Sequence, residues 1–258
     1  MPDLFAATGA ETFAHGTGIA WLALDLSALG ALVAFACIRH GKYSIKYRLL
    51  WLTMAAVSLG GVGLWLANSV ALLAMRVNDS AMRYNVALGT AAAAIAVVGV
   101  LAGLLISGRT LQVPRLIVGG LTMGLSVGLS TYLTLDAVAV QGTVDQSLGL
   151  IGAALLVSMA VSTATLWVSH VVRRVALRVV MSVLFAMGVA AVYYTAVAAL
   201  RFSIDPGIRT PTGMPLFDLV FPMFVIGALG LTVPITAVLV APDRREAAAA
   251  PRQPVSAY

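Results

Sequence analysis

Long apolar runs separated by short polar connections organise the whole chain. The hydrocarbon core of a bilayer, about 30 Å thick, is crossed by roughly 20 apolar residues in a helix. Seven stretches meet that length: Gly18 to Ile38, Leu49 to Met75, Tyr84 to Ser107, Pro114 to Val140, Ser147 to Ser169, Val175 to Leu200 and Phe217 to Ala241. Several are rich in Ala, Val and Gly, mediocre helix formers in water. A backbone surrounded by lipid must satisfy its own hydrogen bonds, and that requirement makes them helices. The prediction is an all-α polytopic membrane protein, a seven-transmembrane-helix bundle spanning 18–241, with an N-terminal segment (1–17) and a polar tail (242–258) too short to fold. The tail is expected to be disordered.

Composition agrees with the pattern. Of 258 residues 60% are hydrophobic and 10% are charged, more apolar surface than a water-soluble core absorbs, so lipid is the solvent. A net charge of +6 would suit nucleic acid, but the basic residues sit in short loops beside apolar spans, where they set topology, and nucleic acid is discounted as a partner. The first seventeen residues carry Asp3 and Glu11 and no basic residue, unlike a cleavable signal, so the first helix is read as retained.

Charge also gives direction. Arg39, Lys42, Lys46 and Arg48 follow the first span, Arg109 and Arg115 the third, Arg173, Arg174 and Arg178 the fifth, and Arg244, Arg245 and Arg252 lie in the tail. Twelve of the sixteen basic residues therefore fall on one side, against Arg76, Arg83, Arg201 and Arg209 on the other. The positive-inside rule makes the first side cytoplasmic, placing the N-terminus outside and the C-terminus in the cytoplasm.

The second, fourth and sixth spans run the same way and share a pattern in their outer halves: GVGLWLANSVALLA from Gly61, MGLSVGLSTYLTLDA from Met123 and MGVAAVYYTAVAA from Met187. Each couples a small-residue approach, which lets helices pack closely in lipid, to a polar or aromatic group. The repeat predicts one leading helix followed by three same-direction helix pairs. These segments resemble the MHYT-domain family of bacterial integral membrane proteins, in which three helices each carry a Met-His-Tyr-Thr-like motif near the outer face. VYYT (Val192 to Thr195), STYL (Ser130 to Leu133) and ANSV (Ala67 to Val70) fall on the three motifs. The resemblance covers roughly His15 to Ala241 and implies the bacterial cytoplasmic (inner) membrane and a signalling role.

Where the family places its histidines this chain has Asn68, Thr131 and Tyr193, and where it places the preceding methionines it has Ala67, Ser130 and Val192. The family is proposed to bind copper through those side chains and to sense oxygen, carbon monoxide or nitric oxide. Imidazole and thioether suit copper, whereas amide, hydroxyl and phenol do not. The expectation is a retained fold, a lost metal site and no cofactor.

At about 1.5 Å rise per residue, Asn68, Thr131, Tyr193 and Asp25 lie at similar depths below the outer face. An ionisable group within a span is costly and usually faces the bundle interior. Asp25, Asn68, Thr131, Tyr132, Asp136, Tyr193 and Tyr194 are therefore the candidate ligand-binding cluster. The plainer alternative is a hydrogen-bonded network that fixes helix register, with Asp25 protonated by desolvation and Asp136 solvated. Cys37, the single cysteine, reads as a packing residue. His40 and His170 read as interfacial groups, and His15 is expected outside. Met75, Met123, Met187, Met214 and Met223 read as packing. Pro222 and Pro234 read as a kink in the last span, and the Gly60 to Gly63 run as helix contact.

Retinal needs a lysine in the last helix, but Lys42 and Lys46, both in a loop, are the only ones, which removes that comparison. No catalytic triad, nucleotide loop or metal-ligand spacing is present, so the chain is read as no enzyme. The leading expectation is a noncatalytic sensory module or accessory subunit whose partners are the bilayer and either another membrane protein or a further copy of itself. Two alternatives stay open: a small-solute transporter or channel, and a copper-dependent gas sensor.

Overall fold

The protein's structure, a computed structural model, describes residues 17–44, 46–74, 83–139, 142–172, 174–204 and 213–241. The segment before Thr17, the tail from Pro242, His15 and Met75 lie outside the described residues. Among those described, seven helices are long and apolar enough to cross a membrane. They are α1 (Thr17–Tyr43), α2 (Arg48–Leu72), α3 (Val86–Ser107), α4 (Val113–Asp136), α5 (Leu148–Val171), α6 (Val175–Ala198) and α7 (Val220–Val240). The chain is an all-α multi-pass membrane protein.

Local chemistry explains several boundaries. The Asn85 side chain accepts from the backbone N–H groups of Ala87 and Leu88, capping α3. Gly108, at φ 75°, turns the chain out of α3 in the left-handed region that only glycine enters cheaply. Pro114 stands in the first turn of α4, where its missing N–H costs nothing. Proline does not break α7, since Pro234 lies inside a continuous helix.

From α1 to α6 each helix packs against the next in sequence, and α6 returns to α1, so that these six close a ring. Helix α7 packs against α1 and α2. The centre of α2 is not α-helical: Val57–Leu66 form a π-helix, with ordinary α-helix on both sides. A π segment is usually a single turn and frequently marks a functional site. Here it contains Gly60, Gly61 and Gly63, and residues 62–70 are all buried. The run read from sequence as helix contact does make contacts: a Cβ on Gly60 would stand 2.7 Å from the Ala96 carbonyl oxygen of α3, and the missing Cβ of Gly30 on α1 would stand 2.7 Å from the Gly63 nitrogen.

Among the described residues, five short strands add to the helical expectation. β1 (Arg83–Tyr84) pairs antiparallel with both β2 (Val138–Ala139) and β5 (Met214–Pro215), while β3 (Gly142–Gln146) pairs with β4 (Leu200–Ile204). These strands lie in the connections after α2, α4 and α6, so the pairings bring those three connections to one end of the bundle, called here the strand end. The expected spans to Val140 and Leu200 ran into this layer. At the opposite, basic end, Lys42 Nζ in the last turn of α1 donates to the Ser169 carbonyl oxygen in the last turn of α5 (2.7 Å), and Arg109 Nη2, after α3, donates to that of Ser44, after α1 (3.3 Å).

Candidate functional site: buried polar groups toward the strand end

The strand-end half of α2 directs three polar side chains into the protein: Trp65, Asn68 and Ser69, all buried. Asn68 Nδ2 donates to Thr131 Oγ1 of α4 (3.1 Å), and the Thr131 hydroxyl donates in turn to the Val127 carbonyl oxygen of its own helix (2.9 Å). Next to it, Ser130 Oγ crosses to α3 and donates to the Ala92 carbonyl oxygen (2.8 Å), while Thr134 Oγ1 donates to the Ser130 carbonyl oxygen (2.8 Å). One turn of α4 thereby ties α2 and α3 together. Small side chains make this possible, because a hydroxyl reaches a neighbouring backbone only where the helices nearly touch.

The same half of the bundle holds polar atoms with no partner. Ser27 Oγ, Trp65 Nε1, Ser69 Oγ, Tyr84 OH and Tyr193 OH are buried and make no hydrogen bond among the described residues. Leaving such a group unsatisfied costs about 1–3 kcal/mol. Trp65, Tyr84 and Tyr193 belong to one packed cluster with Val70, Leu135 and Met223. Burial holds the Tyr84 phenol above its ordinary range, and the neighbouring Ser69 hydroxyl and Trp65 indole pull it partly back. Those two groups therefore lie close enough to act on Tyr84 electrostatically, although neither reaches it with the distance and angle of a full hydrogen bond. The Tyr84 ring fills the space a side chain at Gly89 would need, so these groups are packed against α3.

The seven residues selected from sequence do not form one cluster. Asn68 and Thr131 meet; Tyr193 is buried in the packed cluster, with its ring edge-on to Tyr194 at 5.4 Å between centroids. Tyr132 is half-buried, Asp136 is exposed at the last residue of α4, and Tyr194 is 45% exposed. Asp25 faces out of the bundle. Helix α1 buries Ala23, Ser27, Gly30, Ala31 and Ala34. Two residues from both Ala23 and Ser27, Asp25 is turned about 200° from each, onto the exposed face shared with Trp21, Leu22 and Leu29. Trp65, Ser69 and Tyr84 were not selected. A signal existed for the first two, since Ser69 adjoins Asn68 and follows Trp65 by one helical turn. None existed for Tyr84, which was read as the start of a span and lies instead in β1.

Among the described residues no three His, Cys, Asp or Glu side chains converge as a metal site. The three positions aligned with the family's histidines offer an amide already spent on Thr131, a hydroxyl already spent on Val127 and a phenol. That donor set does not fit copper. The methionines do not make up for it: Met123 is buried in the core shared with Val100 and Val127, Met223 packs in the cluster with Trp65, and Met187 and Met214 are exposed. No family model matches the chain, and neither a curated protein nor a solved structure matches it.

Proposed function

We propose that the chain is a noncatalytic membrane module, MHYT-like with the metal site lost, that serves as a sensory component or accessory subunit and acts through contact with a second membrane polypeptide. In this reading the strand end faces outward and the basic end faces the cytoplasm of a bacterial cell. Support for the orientation comes from Lys42, Lys46, Arg48, Arg109, Arg115 and Arg174, which all lie at the basic end.

Asp25 is the observation that carries the partner. It stands about 10 Å inside α1, seven residues from the start of a 26-residue apolar span, on the outward face. Among the described residues it makes no ion pair or hydrogen bond. A carboxyl in hydrocarbon costs on the order of 3 kcal/mol, and a helix that brings a hydrogen-bond donor to that depth removes the cost. The occupant of this face is therefore a transmembrane helix of another protein with a basic or amide side chain opposite Asp25. A solute path has less support. In the half nearer the basic end the Ser58, Thr163 and Thr165 hydroxyls donate to carbonyl oxygens of their own helices, and near the middle of α5 Ser158 shares its single proton between those of Gly124 and Leu155.

Photo-crosslinking in the native membrane tests the reading. A crosslinker at Leu22 or Leu29 is expected to capture a discrete membrane polypeptide, and Asp25→Leu to abolish the adduct while Asp25→Asn retains it. An adduct of two copies of this chain, or the same adducts from Leu156 on the exposed face of α5, would sink it.

A further inference from the structure

The basic end holds a second site, remote from both the buried polar groups and the outward face of α1. Here α1, α2, α3 and α5 surround a cleft lined by Ile38, Lys42, Arg48, Leu52, Ser107 and His170 among others, wide enough for a water-sized group. Four cations gather on it or at its rim. Lys42 reaches across to the Ser169 carbonyl oxygen (2.7 Å) and acts electrostatically on His170. Arg48 opens α2 at the rim, where the charges of Arg109 and Arg115 both bear on it. Arg109 is held by its bond to Ser44, and the Arg115 guanidinium lies beside the Gly108 turn.

The three arginines are brought together here with no carboxylate among the described residues beside them. Asp25 and Asp218 lie in the part of the bundle near the strand end, as do Asp136 at the close of α4 and Asp145 in β3. Lining the same cleft, His170 donates from Nδ1 to the Leu166 carbonyl oxygen (2.8 Å); a carbonyl only accepts, so Nδ1 carries the proton. Its Nε2 is buried near the Gly108 backbone and, among the described residues, makes no hydrogen bond of good geometry.

Guanidinium groups present planar forks that match phosphate oxygens, and a lysine supplies a point charge. Basic pockets between transmembrane helices at headgroup level bind phosphate-bearing lipids. We propose that the mouth of this cleft binds one anionic phosphate group through Arg48, Arg109 and Arg115, with Lys42 adding charge from within. The group belongs either to an acidic phospholipid headgroup or to free phosphate. Positive-inside charge alone requires neither the convergence of three arginines nor a cleft beneath them.

The test uses the full chain, delipidated in neutral detergent, with native mass spectrometry and thermal unfolding as readouts. Phosphatidylglycerol is expected to bind at one molecule per chain and to raise the unfolding temperature, while phosphatidylcholine does not. R48Q/R115Q should weaken binding at least tenfold, and R83Q, at the strand end, should leave it unchanged. If R48Q fails to fold, R115Q decides, because that side chain is exposed. Stabilisation by inorganic phosphate beyond chloride of equal ionic strength, with the lipid inert, identifies free phosphate; the converse identifies the headgroup. Equal binding of the two lipids with no effect of phosphate, or equal binding by wild type and R115Q, overturns the proposal.

Discussion

Helices α1 and α2 meet at a contact tight enough for a single methyl group to test it. A Cβ on Gly30 would stand 2.6 Å from the Ser58 carbonyl oxygen, 2.7 Å from the Gly63 nitrogen and 2.8 Å from the Gly63 Cα, whereas ordinary contact begins at 3.4 Å. All three obstructing atoms are backbone and belong to the π segment, so no side-chain rotation relieves them. The helices must separate by about 0.8 Å locally, the shortfall at the nearest atom. Forcing an extra methyl into a packed core costs about 1–3 kcal/mol, a shift of about fivefold to 150-fold in the unfolding equilibrium. Cys37 reports the opening, being the only cysteine and fully buried two turns further along α1. Maleimide labelling of Cys37 in mild detergent should be slow in wild type and faster by that factor in G30A. On α5, a Cβ at Gly152 would meet nothing within 4 Å, so G152A should label no faster than wild type. Equal labelling of G30A and G152A would refute the close approach of α1 to the π segment.

Two further outcomes follow from the polar groups. A double-mutant cycle of N68A and T131V should give a coupling of about 0.6 kcal/mol, and at most about 1.7 kcal/mol, the range for interhelical hydrogen bonds in membranes; zero coupling in thermal unfolding would deny the Asn68 to Thr131 bond. Because burial raises the folded Tyr84 phenol above the unfolded value near 10, the unfolded chain loses that proton first, so the stability tied to it is intact below about pH 10 and fades above it. Y84F should flatten the alkaline fall in unfolding temperature between about pH 9 and 11, and identical profiles would place Tyr84 in water.

All seven spans were legible because length and apolarity are properties of composition, although α1 runs on past the expected Ile38 to Tyr43 and takes in Arg39 and Lys42, which were expected in a loop. Three features were not legible, each for its own reason. The π segment changes the hydrogen-bond partner from one residue to another without altering hydrophobicity, so a run such as GGVG signals contact and not a changed helix. The strands depend on pairing between connections far apart in the chain; β1 finds β2 and β5 only once α2, α4 and α6 end side by side. The direction of Asp25 depended on which face of α1 its neighbours bury. A carboxyl inside a span suggests an inward face by its cost alone, but Ala23, Ser27 and Ala31 claim that face with small residues that let α2 approach, and Asp25 is left on the other.

The three positions aligned with the family's histidines give the most direct test of whether this chain shares the geometry of that site. Asn68 and Thr131 are in hydrogen-bond contact, so two imidazoles placed there arrive within reach of one ion, and Tyr193 is buried in the same half of the bundle. In wild type the amide and hydroxyl satisfy each other and offer copper nothing soft. N68H/T131H is expected to retain copper through gel filtration where wild type retains none, and adding Y193H is expected to raise the affinity further if α6 brings that position to the same point. Copper binding by the double variant without gain from the third histidine would mean that α2 and α4 alone share the family's arrangement. A folded triple variant, verified by slow Cys37 labelling, that holds no more copper than wild type would refute the resemblance at the site, and the Asn68 to Thr131 bond would then be a register-fixing contact in its own right.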